Sequence, residues 1–326
     1  MKPSSAKAAV KVAIKARRPV FLWGPPGVGK SQTVKQIAEG DGLSLVDIRA
    51  VLLDPVDLRG LPKIEDGRAV WCPPGFLPAD GKGVLFLDEL NAAPPLVQAG
   101  CYQLVLDRKI GEYILPPDWV IIAAGNRETD RAVTSRMPSA LANRFVHIQF
   151  DVDVDDWVSW ALDHGIMTEV IAFIRFRPGL LFQFDPAKNE KSFPTPRSWE
   201  FVSDLLKVGP DHAIEFDLLS GTVGEGAAVE LLGFLKIFRT LPDPDQILMN
   251  PAAAPVPEDP ATLYALSGAL SRKAGPNSIG RIVEYCYRLP AEFSVLTIRD
   301  AVKIHPEVTS SRAFIDWAAK NQAVLF

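Results

Sequence analysis

Residues 24–31 read Gly24-Pro25-Pro26-Gly27-Val28-Gly29-Lys30-Ser31, the spacing G-x-x-x-x-G-K-[ST]. The apolar run Pro19-Val20-Phe21-Leu22-Trp23 precedes it, and a helix-forming stretch from Ser31 to Ala38 follows, stopped by Gly40. A buried strand, a glycine-rich turn and a helix start form the context in which this spacing cradles phosphate. Glycines let the backbone fold tightly and aim its N–H groups at an anion. The helix adds its positive N-terminal end. Lys30 places a point charge on the outer phosphates, and the Ser31 hydroxyl ligates magnesium. The expected ligands are Mg2+ and ATP, with GTP not separated from ATP by the motif, held by Gly24, Pro25, Pro26, Gly27, Val28, Gly29, Lys30, Ser31 and Gln32.

Working downstream, Gly83-Val84-Leu85-Phe86-Leu87 is a second buried strand, and it ends in Asp88-Glu89. Asp88 is placed to hold magnesium and Glu89 to polarise an attacking water. Trp119–Ala124 is a third strand, followed by Gly125-Asn126. A polar amide there faces the edge where ligands bind in open parallel sheets. Leu43–Ile48 and Phe145–Phe150 read as further strands, with helices over 6–17, 95–107 and 138–143. Arg108–Leu115 reads as a small hairpin turning at Gly111, and 54–82, rich in Pro, Gly and Asp, as a long loop. Strands alternating with helices predict an α/β fold with a mostly parallel sheet. After Asp151 the pattern is helical, over 155–175, 197–208, 211–220, 226–238, 260–274, 278–289 and 311–322, with a proline-rich connection at Pro242–Pro260.

Composition bounds the partners. The 326 residues are 48% hydrophobic and 23% charged, with net charge −4. A dedicated nucleic-acid binder draws most of its affinity from phosphate neutralisation, so this balance argues against nucleic acid. Cys72, Cys101 and Cys286 are far apart and odd in number, which suggests neither disulfides nor a zinc site. No signal-like apolar stretch opens the sequence, and no run of 18 or more apolar residues is present. The expected setting is the cytoplasm, away from membranes.

With these motifs in hand, the chain resembles the AAA+ superfamily, and more narrowly its MoxR-like branch, over about residues 10–240. The resemblance rests on Gly24–Ser31, Asp88-Glu89-Leu90-Asn91-Ala92-Ala93-Pro94-Pro95, Gly125-Asn126, Ala140-Leu141-Ala142-Asn143-Arg144-Phe145 and Pro194-Thr195-Pro196-Arg197-Ser198. With the change to a helical pattern after Asp151 and the proline-rich connection, the expected organisation is a nucleotide-binding α/β domain over 1–152, an α-helical lid over 153–240 and a helical C-terminal extension over 241–326. The resemblance implies that Asn126 is sensor 1, that Arg144 is an arginine finger serving the neighbouring subunit, and that Arg197 is sensor 2. Arg136 is a second candidate for the bridging arginine; the sequence does not separate Arg59, Arg127 and Arg131 from ordinary surface charges. The chemistry would rest on Lys30, Glu89, Asn126, Arg144 and Arg197, in a homo-oligomeric, hexameric ring. The 54–82 segment and the 108–115 hairpin fall where this branch carries loops facing the pore or partner. Leu58, Trp71 and Phe76 in that segment either grip a substrate or pin the loop to the core.

The resemblance also implies a client protein, such as one carrying a von Willebrand factor A domain, remodelled at the expense of ATP. A DNA motor would want a basic groove, yet 54–82 sets Arg59, Lys63, Arg68 and Lys82 against Asp54, Asp57, Glu65, Asp66 and Asp80. A scaffold without turnover would usually have lost Lys30, Asp88, Glu89, Asn126 or Arg144, and all are present. Two departures from the branch stand out: Ala-Ala-Gly-Asn-Arg around Asn126, where Ala-Thr-Gln-Asn-Pro is usual, and the absence of any assignable motif over 241–326.

Overall fold

The computed structural model describes residues 1–130, 137–188, 190–241 and 243–321. It comprises two compact units: Met1–Asp153 with Asp185–Asn189, and Val154–Phe184 with Glu190–Phe326.

The first unit is built from α1 (Pro3–Lys15), β1 (Val20–Trp23), α2 (Lys30–Gly40), β2 (Ser44–Arg49), α3 (Pro55–Arg59), β3 (Leu61–Glu65), β4 (Arg68–Cys72), β5 (Gly83–Asp88), α4 (Pro95–Asp107), β6 (Lys109–Ile110), β7 (Tyr113–Ile114), β8 (Trp119–Gly125), α5 (Ser139–Ala142) and β9 (Val146–Gln149). The main sheet has five strands in the order β2-β5-β8-β1-β9. Every pairing within it is parallel. The central strands β5 and β8 are buried along their whole length, which is why they read as unbroken apolar runs rather than alternating ones. Alternate residues Leu85, Leu87, Ile121 and Ala123 share a core with Val97, Cys101 and Leu104 of α4. Helix α2 packs on β2, β5 and β8, and α1 on α2 and β9.

The 54–82 segment departs from the expected loop. It holds α3 and an antiparallel hairpin, β3–β4, turning through Asp66 and Gly67. Its strands carry no buried residue, so the core-facing alternation that announces a strand is missing. Leu58 is fully buried and pins α3 to the core beside α4. Arg59 sits 5.1 Å from the centre of the Trp71 ring.

The second unit contains α6 (Val154–Asp163), α7 (Thr168–Phe176), α8 (Pro196–Val208), α9 (His212–Val223), α10 (Glu225–Arg239), α11 (Pro244–Met249), α12 (Pro260–Arg272), α13 (Ile279–Cys286), α14 (Ala291–Ile304) and α15 (Arg312–Lys320). The single helix expected over 155–175 is two, broken where Gly165 takes φ +67°. The 242–260 connection contains α11. Helix α14 is a further addition to the sequence reading: Val295-Leu296-Thr297-Ile298 at its centre is rich in β-branched residues, which weaken the helical signal. Helix α12 packs on α7, α10 and α14. Arg175 of α7 and Asp300 of α14 form a buried, doubly hydrogen-bonded ion pair. Residues 154–184 and 190–240 thus share one compact unit with 241–326, while Asp153 and 185–189 group with the first unit.

Candidate functional site

Strands β1, β5 and β8 are adjacent and parallel, so their C-terminal ends open on the same edge of the sheet. The phosphate loop leaves β1, Asp88 closes β5, and Asn126 follows β8. Gly29 occupies the N-cap of α2 at φ +96°, a region that glycine enters without strain. Lys30 is buried and folds back over its own loop: Nζ donates to the carbonyls of Gly24 at 2.6 Å and Pro25 at 2.9 Å. It also donates to Oδ1 of Asn126 at 3.2 Å. The Ser31 hydroxyl donates to Oδ2 of Asp88 at 2.7 Å. The lysine, serine, aspartate and asparagine singled out from the sequence therefore come together where the three strands end. Pro25 and Val28 are buried within the loop, and Gln32 faces solvent on α2.

The hydroxyl–carboxylate pair of Ser31 and Asp88 is a set of hard oxygen donors, as magnesium prefers. Among the described residues no group of three or more His, Cys, Asp and Glu side chains could hold a metal. A magnesium ion here would depend on nucleotide phosphates for further ligands, as in other sites of this chemistry. Asp47, on β2 beside β5, keeps solvent access, yet loss of hydration and then the Asp88 charge raise the pKa of its carboxyl, with Arg49 opposing.

Glu89 adopts φ 56° and ψ 32°, the left-handed region. Its N–H donates to Oδ1 of Asp88 at 2.9 Å, and its carbonyl accepts from Ala92 N at 2.9 Å. Its carboxylate has no hydrogen-bond partner among the described residues and is partly open to solvent.

Arg144 lies elsewhere. It follows α5 and precedes β9, and β9 runs parallel to β1 with Val146 level with Val20. Arg144 is therefore at the N-terminal edge of the sheet, a strand length of about 13 Å from the edge where the phosphate loop emerges. It is exposed, with no ion-pair partner among the described residues. Its loop is anchored. Trp23 stacks on Phe21 at 4.1 Å and donates from Nε1 to Nδ1 of His147 at 2.8 Å. That assignment leaves His147 Nε2 as donor to the carbonyl of Ala142 at 2.7 Å.

Arg197 is exposed on the first turn of α8, in the second unit. Thr195 and Ser198 close a reciprocal cap there, Ser198 N donating to Thr195 Oγ1 at 3.0 Å and Thr195 N to Ser198 Oγ at 2.7 Å. Arg127 bonds Gln149 Oε1, the Phe150 carbonyl and Asp151 Oδ1, tying β8 to the end of β9. Arg131 and Arg136 lie outside the described residues. The structure adds Asn91, which is buried and donates from Nδ2 to the carbonyl of Asn126 at 2.7 Å. Its place in the Asp88–Pro95 phrase is the sequence signal, but no spacing rule reveals which strand end an asparagine will reach.

Residues 19–145 match the family described as AAA domain (dynein-related subfamily). Over 186 residues the chain is 33% identical to midasin from Giardia intestinalis, covering 53% of this chain and 4% of midasin. Over 148 residues it is 30% identical to protein MoxR from Methylorubrum extorquens, covering 41% of each. The chain thus spans less than half the length of either relative. Among solved structures, the RuvB Holliday junction branch migration motor of Thermotoga maritima aligns over 82% of this chain and 81% of its own at 17% identity, with a TM-score of 0.40. Residues 19–145 thus match an AAA domain, and the sequence relatives support a likeness to the MoxR-like branch of the AAA+ ATPases.

Proposed function

We propose that the protein hydrolyses ATP in a homo-oligomeric, hexameric ring and uses the energy to remodel a partner protein. The observation that supports the chemistry most directly is the convergence of Lys30, Ser31, Asp88 and Asn126 at the ends of three adjacent strands. In this reading Lys30 exchanges its loop carbonyls for the outer phosphates, and Asn126 turns toward the terminal one. Glu89 takes a proton from water as the water attacks the terminal phosphorus, and ADP leaves with the bridging oxygen. Magnesium, held by Ser31 and Asp88, would neutralise phosphate charge. Gly24–Ser31 and Gln32 hold the nucleotide.

Arg144 is the finger supplied to the neighbouring subunit. Its position at the opposite sheet edge supports this, since it is remote from its own phosphate loop. Arg197 acts as sensor 2 from the lid. The client is a protein, with a von Willebrand factor A domain as the first candidate, and the ring works in the cytoplasm. Among the described residues no helix is long and apolar enough to cross a membrane.

The test is phosphate release from Mg-ATP measured against particle mass by light scattering. Activity that rises with assembly, and is lost in Lys30→Ala and Arg144→Ala, supports the reading. A monomer with undiminished turnover in Arg144→Ala removes the ring and finger. No turnover at any assembly state removes the ATPase reading.

A further inference from the structure

Of the phrase Asp88–Pro95, the reading above uses only the two acids. Asn91 has a different standing. It is 2% exposed, donates to the backbone carbonyl of Asn126, and leaves its own amide oxygen without a partner among the described residues. An unmet buried acceptor is a cost that an apolar side chain of similar size would avoid, so packing alone does not account for an asparagine here.

Both ends of the contact are tightly held. Ala92 N donates to the Glu89 carbonyl at 2.9 Å, making 89–92 a single closed turn. Gln98 of α4, itself buried, donates from Nε2 to the Ala93 carbonyl at 2.9 Å and secures that turn from behind. On the other side the Asn91 amide presses on Gly125: a Cβ at 125 would lie 2.0 Å from Asn91 Oδ1 and 3.0 Å from Phe21 Cζ. The glycine before Asn126, part of one of the two departures from the branch, is thus the residue that admits this amide.

We propose that Asn91 is a positioning residue for hydrolysis. It fixes the separation between the turn that carries Glu89 and the strand end that carries Asn126. The group aimed at water and the group aimed at the terminal phosphate then keep register. This rests on the ATPase reading. In this role Asn91 acts through the two residues it joins, by its hydrogen bond to the Asn126 carbonyl and its place in the Glu89 turn.

The experiment compares wild type, Asn91→Ala, Gly125→Ala and the double variant, measuring kcat and KM for Mg-ATP, affinity for a fluorescent ADP, and melting temperature. Displacements of this kind lower the rate by roughly 10- to 100-fold. Asn91→Ala should show that loss in kcat with ADP affinity within about 2-fold of wild type. Gly125→Ala should match it, because its methyl expels the amide, and it reads the same contact if Asn91→Ala does not fold. The double variant should fall no further than the weaker single one. Full kcat in Asn91→Ala overturns the inference while leaving the ATPase reading intact. So does a parallel loss of ADP affinity and kcat, or losses that multiply in the double variant. Absence of turnover in wild type fails the ATPase reading itself, and the inference with it.

Discussion

Glu89 illustrates how a single backbone conformation prepares a site. A non-glycine residue at φ 56° is disfavoured by about 1–2 kcal/mol, and such strain persists where its surroundings over-determine it. Here the Asp88 carboxylate and Ala92 N–H hold the two backbone groups of Glu89. The strand ends at Asp88, the chain turns, and the Glu89 carboxylate is left partly open to solvent beside the carboxylate that accepts the Ser31 hydroxyl. Replacing it by glutamine keeps shape and removes the proposed base. Glu89→Gln is expected to bind ATP as wild type does while kcat falls about 100- to 10,000-fold. Equilibrium binding and single-turnover hydrolysis check the two halves separately.

At the scale of elements, the second unit owes its order to helix ends and to paired helices. The Thr195–Ser198 cap satisfies the first N–H groups of α8, and losing such a cap costs about 1 kcal/mol. Thr195→Ala should lower the melting temperature by roughly 2–4 °C, and Thr195→Ser should not, as calorimetry would read. Between α9 and α10, Glu215 is buried and ion-paired with Arg239. The Arg239 hydrogen bond, aided by His212 and opposed by desolvation, holds the Glu215 carboxyl below its ordinary 4.5. Its contribution to stability is therefore complete above pH 4.5 and lost as pH falls through the lower folded value. The melting temperature should drop on acidification through that window, and the drop should be smaller in Glu215→Gln. The β3–β4 hairpin shows the converse case: Leu61 and Ile64 are exposed, so no buried face announces the strands.

At the scale of the whole molecule, the proposed active site is shared between neighbours. Glu89→Gln subunits keep a competent Arg144, and Arg144→Ala subunits keep a competent Glu89. Each variant alone should be inactive, and mixing them should restore part of the turnover, because some interfaces then pair an intact Glu89 with an intact Arg144. Recovery would be read as phosphate release across mixing ratios. A flat, inactive profile would place Arg144 in its own subunit's chemistry or outside it.

Local sequence was enough for much of this protein. Gly24–Ser31 between an apolar run and a helix start, and apolar runs ending in Asp88 and Gly125-Asn126, named the parallel sheet and the lysine, serine, aspartate and asparagine that the structure joins. These signals are local because a phosphate loop needs a particular backbone and a buried strand needs unbroken apolar residues. The rest arose from long-range packing. The hairpin in 54–82, the union of α7 with α12 and α14, and the reach of Asn91 to Asn126 depend on residues far apart in sequence. No periodicity encodes such meetings, because each is selected by how whole elements fit against one another.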